Sequence, residues 1–399
     1  MDGYKYKTSC RVCGSDNLTK IADFGEVPLA NALVNSRFDK VSKYPLWVNF
    51  CNHCSLTQLG VVVDPTILYK DYHYQSSMSD TFKTHCLNMG KDIKKILSKE
   101  IPFVVDIASN DGCLLEQFKS IGFDVLGIEP ASNLCDIARS KGVYTMNEFW
   151  SRDTRLLNKA DCITATNVFA HVDDLDGFLA GVTSNLVSGG VFVIEVPWVL
   201  NMILKGQFDT IYHEHLSYFL LKPLIRVLYH HGLTVFRVEE VPIHGGSLRV
   251  YSTNNAVRFP DNTVHETLEI EEQNRMYDVS TYRCFGDNAE YSMDLFINIL
   301  SDLRNVKVAG LCASAKGISL INYCGLTNID IDCIADETPS KYGKVIPDSN
   351  IPIVSMDELI EYDPEYLVLF SWNFIEELKK KTSWFKGRYI IPIPYARFE

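Results

Sequence analysis

The sequence predicts an α/β protein in which a small cysteine-rich module precedes two Rossmann-like domains. Three observations carry that expectation. Two tight cysteine pairs fall within residues 1–65, apolar segments alternate with helical patterns from about residue 66, and a second alternation begins at Val306. The length of 399 residues agrees, being more than one ordinary core organises.

Composition narrows the class. At 46% hydrophobic and 22% charged residues the chain is that of a soluble globular protein. A net charge of −12 gives no global attraction for nucleic acid or anionic membrane, so an anionic ligand needs a local cluster of positive groups. The opening MDGYKYKTSC lacks the apolar core of a signal peptide, and no apolar run approaches the roughly 20 residues of a membrane span. The expectation is a cytoplasmic protein, a monomer or small homo-oligomer, with neither nucleic acid nor membrane as partner. In a reducing compartment its twelve cysteines serve as thiols or metal ligands rather than disulfides.

Residues 1–65 form the first module. Cys10-Arg11-Val12-Cys13-Gly14 and Cys51-Asn52-His53-Cys54 are two CxxC turns. Each such turn offers two thiolates to one ion, and two turns complete a tetrahedral shell. Gly14 suits the first, since amides that bend toward sulfur favour a residue free to take positive φ. Cys10, Cys13, Cys51 and Cys54 are therefore the expected zinc ligands, and the ion is structural because four cysteines leave no open position. His53 lies inside its turn and reads as a neighbour. The scattered thiols, Cys86, Cys135, Cys162 and Cys324 among them, read as small buried side chains.

Residues 66–255 follow. Phe103-Val104-Val105-Asp106-Ile107, Asp124-Val125-Leu126-Gly127-Ile128, Cys162-Ile163-Thr164-Ala165-Thr166 and Val191-Phe192-Val193-Ile194 read as strands buried on both faces. Between them Leu114, Leu115, Phe118 and Ile121 recur at helical spacing, as do Leu134, Ile137 and Ala138. Such alternation predicts a parallel, doubly wound sheet. Residues 256–300 are polar, acidic and weakly periodic, the pattern of a helical connector. Residues 301–399 repeat the alternation through Val306–Gly310, Ile331–Ile334 and Tyr366–Phe370, and form a second, smaller domain.

The first long strand runs into Asp106-Ile107-Ala108-Ser109-Asn110-Asp111-Gly112 and then into a helix. A tight strand-to-helix turn lets backbone groups approach a ligand closely. The next strand ends in Glu129-Pro130, where a carboxylate can accept hydrogen bonds from both ribose hydroxyls of an adenosyl group. The G-x-G-x-x-G fingerprint of dinucleotide sites is absent. A loop with one glycine and no pyrophosphate to cradle favours S-adenosylmethionine over NAD. An ordinary α/β turn with a helix-capping Asp111 is the plainer alternative.

Acid–base groups gather farther along. Asn167-Val168-Phe169-Ala170-His171 follows the third strand, which sets Asn167 and His171 at the carboxyl edge of the sheet, where ligands bind in doubly wound folds. Glu195 ends the fourth strand on the same edge. Ile211-Tyr212-His213-Glu214-His215 is the densest run of such groups in the chain. In a turn or helix Tyr212 and His215 share a face while Glu214 lies aside. A histidine oriented by a carboxylate and set beside a phenol suits proton abstraction. Lys316 opens an apolar helical stretch, Ile318-Ser319-Leu320-Ile321, and a lysine at a helix start is a workable anion site. Arg249 and Lys344 are the next candidates for that role.

Together these segments resemble the sugar C-methyltransferases that act on nucleotide-linked 4-keto-deoxyhexoses, over essentially the whole chain. The segments that carry the resemblance are the paired CxxC turns, Tyr72-His73-Tyr74-Gln75-Ser76-Ser77, Ser109-Asn110-Asp111-Gly112 and Gly127-Ile128-Glu129-Pro130. They continue with His171, Tyr212-His213-Glu214-His215, His244-Gly245-Gly246, and Ala315-Lys316-Gly317 followed by Asn322-Tyr323-Cys324-Gly325. Two loops depart from the family pattern: Ala108-Ser109 stands where Gly followed by Ser or Cys is usual. Leu311-Cys312-Ala313-Ser314 replaces a Tyr-Gly-Ala-Pro or Tyr-Gly-Ala-Thr pattern.

The resemblance implies a zinc domain, a cofactor domain and a second Rossmann-like domain, with the nucleotide sugar between the last two. It implies that Tyr72, His171, Tyr212, Glu214 and His215 line the active site, with His215 the favoured base; Glu214 is the group expected to orient it. Cofactor contacts are expected at Tyr74, Ser77, Asp106, Ala108, Asn110, Asp111, Gly112, Glu129, Pro130 and Asn167. Substrate contacts are expected at Glu195, His244, Gly245, Arg249, Lys316 and Lys344. The expected reaction is methyl transfer to C3 through an enolate, with Tyr212 or His171 stabilising the C4 oxygen. The alternatives are an O- or N-methyltransferase on a similar sugar, or a nucleotide-sugar binding protein without catalysis.

Overall fold

A computed structural model describes residues 3–69, 76–78, 80–243, 245–255 and 258–399. The N-terminal module contains β1 (Tyr4–Tyr6), β2 (Leu18–Pro28), β3 (Lys43–Cys51), β4 (Thr57–Leu59), β5 (Val61–Val63) and the short α1 (Pro65–Tyr69). β1 pairs antiparallel with β5, while β2, β3 and β4 form an antiparallel sheet. Leu46, Val48, Phe50, Leu56 and Leu59 are buried beneath it.

The middle domain starts with α2 (Asp80–Leu97), whose buried Cys86, Met89, Gly90 and Ile93 follow the i, i+3, i+4, i+7 spacing of one helical face. It continues through β6 (Phe103–Ile107), α3 (Cys113–Ser120), β7 (Asp124–Ile128), α4 (Ser132–Ser140), β8 (Thr145–Met146), β9 (Ala160–Thr166), α5 (Leu175–Asn185) and β10 (Leu186–Pro197). After α6 (Val199–Leu204) come β11 (Ser217–Tyr218), α7 (Leu221–His230) and the hairpin β12 (Thr234–Val241) and β13 (Ser247–Thr253). The seven-stranded sheet runs β12-β13-β10-β9-β6-β7-β8. Its five central and outer strands from β10 to β8 are parallel, and β13 is antiparallel to both neighbours. Both faces are covered, which is why these strands are apolar throughout. Along β10, Val191 and Val193 pack toward α2 and α3, while Phe192, Ile194 and Val196 enter the opposite core.

β11 leaves this sheet and joins the module instead. It pairs with β4, so the module's sheet runs β11-β4-β3-β2. The connector is two helices, α8 (Asn262–Gln273) and α9 (Val279–Asp302), each opened by an aspartate cap, Asp261 and Asp278. The C-terminal domain holds β14 (Val308–Leu311), α10 (Ala315–Tyr323), β15 (Cys333–Ala335), β16 (Ile353–Val354), α11 (Met356–Tyr362), β17 (Tyr366–Leu369), α12 (Ile375–Lys381), β18 (Arg388–Ile391) and β19 (Arg397–Phe398). Its sheet order is β16-β15-β14-β17-β18-β19, parallel except for the last strand. The module touches this domain as well: Val34 bridges Val345, and the rings of Phe24 and Tyr323 lie 4.4 Å apart. Among the described residues no helix is long and apolar enough to cross a membrane.

Candidate active site

Cys10, Cys13, Cys51 and Cys54 converge, their sulfurs all within 4.8 Å of one another. Cys10 Sγ lies 3.4 Å from Cys54 Sγ and Cys13 Sγ 3.6 Å from Cys51 Sγ. A tetrahedral zinc–thiolate site with bonds of roughly 2.3 Å has edges of about 3.8 Å, so the set fits one ion. The two turns are built alike. Gly14 N–H donates to Cys10 O and Ser55 N–H to Cys51 O, at 2.9 Å each, with Gly14 at φ 72 and Ser55 at φ 65. His53 stands apart, with its Nε2 3.3 Å from Arg226.

At the carboxyl edge of the large sheet, the loop after β6 carries three left-handed residues, Ala108 (φ 54), Asn110 (φ 53) and Gly112 (φ 78). Gly127 lets this loop descend onto β7, because a Cβ there would stand 2.4 Å from Ser109 Oγ. Glu129 is buried and accepts the N–H groups of Asn110 and Ala131, both at 2.9 Å. Burial raises its pKa. A carboxylate offers about four acceptor positions, so two remain for ribose hydroxyls. Asp111 accepts from Ser77 N–H at 3.2 Å and from Lys141 Nζ at 3.0 Å, and Lys141 also reaches Ser77 Oγ at 3.1 Å. Asp106 lies beneath the loop, where burial pushes it up to about 7 although Thr164 donates to it at 2.6 Å. Asn167, at φ 56, has a buried Oδ1 with no partner among the described residues. That orphaned acceptor and the spare positions on Glu129 suit a polar ligand such as S-adenosylmethionine.

The histidine loop begins after a 3-10 turn, Phe208–Thr210, and closes with His215 N–H on Tyr212 O at 2.9 Å. His215 Nδ1 lies 2.7 Å from Thr210 O, and Nε2 lies 3.0 Å from the Tyr212 hydroxyl. A carbonyl only accepts, so Nδ1 carries a proton, and the neutral form of the ring then presents its Nε2 lone pair toward the Tyr212 hydroxyl. The expectation that Glu214 orients His215 is corrected here, because Thr210 holds Nδ1 and Glu214 Oε1 accepts the Asn31 amide at 2.6 Å. His171 ends another 3-10 turn, Phe169–His171, with its ring 5.1 Å from that of His215. Burial pulls its pKa down to about 4, so it is neutral at physiological pH. His213 turns away and lies 3.3 Å from both Tyr44 O and Pro45 O.

The residues expected on the substrate side are more dispersed. Glu195 is fully buried beside Arg249, its cross-strand neighbour, and beside His85, at 2.9 and 2.8 Å. Burial pushes Glu195 up, yet His85 and Arg249 outweigh it and leave the carboxyl below its usual range. Arg249 also contacts Glu239 at 3.3 Å. These groups satisfy one another. Gly245 (φ 93) packs over Gln207, and Lys344 is half-buried beside the Val345 bridge. Lys316 lies in the first turn of α10, its Nζ buried without a hydrogen-bond partner among the described residues and 5.5 Å from the Trp372 ring centre. Burial lowers its pKa, with Asp209 pulling the other way. Asp209 is buried and accepts from Trp372 Nε1 at 2.7 Å. Tyr72, Tyr74 and His244 lie outside the described residues. Sequence reasoning missed Asn31, Thr210, His85, Lys141 and Asp209, since none stands in a patterned motif.

Comparison with known proteins gives three family matches along the chain. A zinc binding domain matches residues 10–69, a methyltransferase domain residues 88–238, and a C-methyltransferase C-terminal domain residues 242–394. The chain is 33% identical over 404 residues to the C-methyltransferase NovU of Streptomyces niveus, covering 97% of this chain and 96% of that protein. Distant structural likenesses include SAM-bound CalS10, an amino pentose methyltransferase from Micromonospora echinaspora, with 15% identity, a TM-score of 0.36, and coverage of 46% of this chain and 99% of that one. Another is an S-adenosylmethionine-dependent methyltransferase from Clostridium acetobutylicum, with 15% identity, a TM-score of 0.37, and coverage of 45% and 93%. With NovU matched nearly end to end and each module matched by its own family model, the chain belongs to the S-adenosylmethionine-dependent C-methyltransferase family.

Proposed function

We propose that the chain methylates C3 of a nucleotide-linked 4-keto-deoxyhexose through an enolate, and that its zinc ion is structural. The observation that supports this most directly is the hydrogen bonding of His215, protonated at Nδ1 on Thr210 and basic at Nε2 beside Tyr212. Carbon is a poor nucleophile until it loses a proton, and a ketone at C4 acidifies the proton on C3. His215 Nε2 takes that proton, leaving the electron pair delocalised onto the C4 oxygen. The Thr210 carbonyl stabilises the imidazolium that forms. The Tyr212 hydroxyl, released from Nε2, turns to the enolate oxygen, and a preorganised donor of this kind contributes about 2.7–4 kcal/mol. Neutral His171 lines the same space and adds no charge that would oppose protonation of His215.

Bound at Glu129, Asn110 and Asn167, S-adenosylmethionine supplies an electrophilic methyl group. The zinc is read as structural because its four ligands close the coordination shell. The test uses deuterated water, a 4-keto nucleotide sugar and S-adenosylhomocysteine in place of the donor. Wild type is expected to exchange deuterium into C3, and His215→Ala to lose both exchange and methylation while still binding cofactor. General-base removal costs about 10²–10⁴-fold. A product carrying O–CH₃ or N–CH₃ by NMR ends this reading.

A further inference from the structure

The zinc module does more than cap the chain, because one of its side chains ties together the two segments that carry the histidines. Arg11 sits inside the first CxxC turn, its side chain 0% exposed. Its Nη1 donates to Leu216 O at 3.0 Å and Leu59 O at 2.9 Å, and its Nε donates to Asp173 Oδ1 at 3.1 Å. Leu216 directly follows His215, and Asp173 stands two residues after His171. One planar guanidinium thus sets the spacing of both segments, whose histidine rings lie 5.1 Å apart. Arg11 is itself fixed from the other side. Cys10 and Cys13 flank it in the thiolate cluster, and its N–H donates to Gln58 at 2.8 Å.

We propose that Arg11 is a positioning residue, through which the metal-bound turn holds His171 and His215 in register. This rests on the reading of His215 as the base. Stability alone is a poor account of the arrangement. Arg11 Nη2 is buried with no partner among the described residues, and an unsatisfied buried donor is costly. The neighbouring Lys5 and Lys7 also reach Asp173, at 2.8 and 3.7 Å, so the aspartate has cations enough without a guanidinium drawn into the interior.

The experiment compares Arg11→Lys, Asp173→Asn and His215→Ala in the full-length protein. Each is assayed for zinc content, calorimetric affinity for S-adenosylhomocysteine, kcat and KM, C3 exchange, and histidine ring signals by ¹⁵N NMR. Lysine keeps the charge and loses the fork. Arg11→Lys is expected to keep its zinc and cofactor affinity, leave KM within about threefold, and lower kcat and C3 exchange together by about 10–100-fold, as misplacement of reacting groups does. Its His215 ring signals should shift. Asp173→Asn should lower kcat in the same sense, and it decides the matter if Arg11→Lys does not fold. Wild-type kcat in either folded, zinc-loaded variant overturns the proposal, as does a loss of kcat that merely tracks lost zinc. If His215→Ala keeps its exchange, the base assignment fails, while the Arg11 data still report whether this tether governs turnover.

Discussion

Asn31 donates its side-chain amide to Glu214 across 2.6 Å, so the cysteine-rich module reaches the acid–base loop with a side chain as well as with backbone. Glu214 is 4% exposed, and a typical intramolecular hydrogen bond contributes about 0.5–1.5 kcal/mol. Asn31→Ala is expected to lower kcat by about 10-fold with zinc and cofactor binding intact, measured by steady-state kinetics. Turnover equal to wild type would show that Glu214 keeps its place by other contacts.

Glu129→Ala should weaken S-adenosylmethionine binding by about 1.5–3 kcal/mol, the range for hydrogen bonds to a charged group. The same change frees the N–H groups of Asn110 and Ala131, so the loop should also exchange its amide hydrogens faster. Calorimetry and hydrogen exchange read the two effects separately. Unchanged affinity would move the ribose elsewhere.

Freshly purified, reductant-protected protein should hold about one zinc per chain. Cys13→Ser should release it at lower chelator concentration, because the binding energy of such an ion is also folding energy. Circular dichroism during chelator titration is the check, and a wild-type protein without zinc removes the idea.

His213 is buried with a pKa pulled down to about 4, against 6.5 in an unfolded chain. The unfolded chain takes up this proton as pH falls through 6.5, while the folded chain resists until about 4. Its stability is therefore full above pH 6.5 and is lost on acidification. Asp106, raised to about 7, acts in the opposite sense, so the difference between two proteins is the informative quantity. His213→Gln should lose about 2 kcal/mol less than wild type between pH 7 and pH 5, by denaturant unfolding. Parallel pH profiles would mean that His213 titrates normally.

What the sequence made legible was whatever repeats or is chemically rare. The CxxC turns fix their ligands by spacing, and the doubly buried runs at Phe103–Ile107 and Asp124–Ile128 match strands residue for residue. Tyr212 and His215 meet because a turn brings i and i+3 together. The groups that hold the segments around that pair were not legible. Thr210 acts through a carbonyl, which has no residue signature, and Asn31 and Arg11 act across contacts set by tertiary folding. The two departures from the family pattern share one physical feature. Ala108 at φ 54 and Cys312 at φ 72 both adopt backbone that glycine enters freely, where the family pattern has glycine.

The pairing of β4 with β11 has a consequence for how the chain matures. Residues 57–59 leave the ribosome long before residues 217–218, so the edge of the first sheet stays open while most of the middle domain is being made. Zinc can gather the four cysteines early, but the carbonyl of Leu216 and the carboxylate of Asp173 reach Arg11 only once that stretch has emerged. Such long-range closure is slow, and an unpaired strand edge is prone to join a wrong neighbour in the meantime. Production of this protein should therefore depend more on synthesis rate and on chaperones than the small size of its metal module suggests.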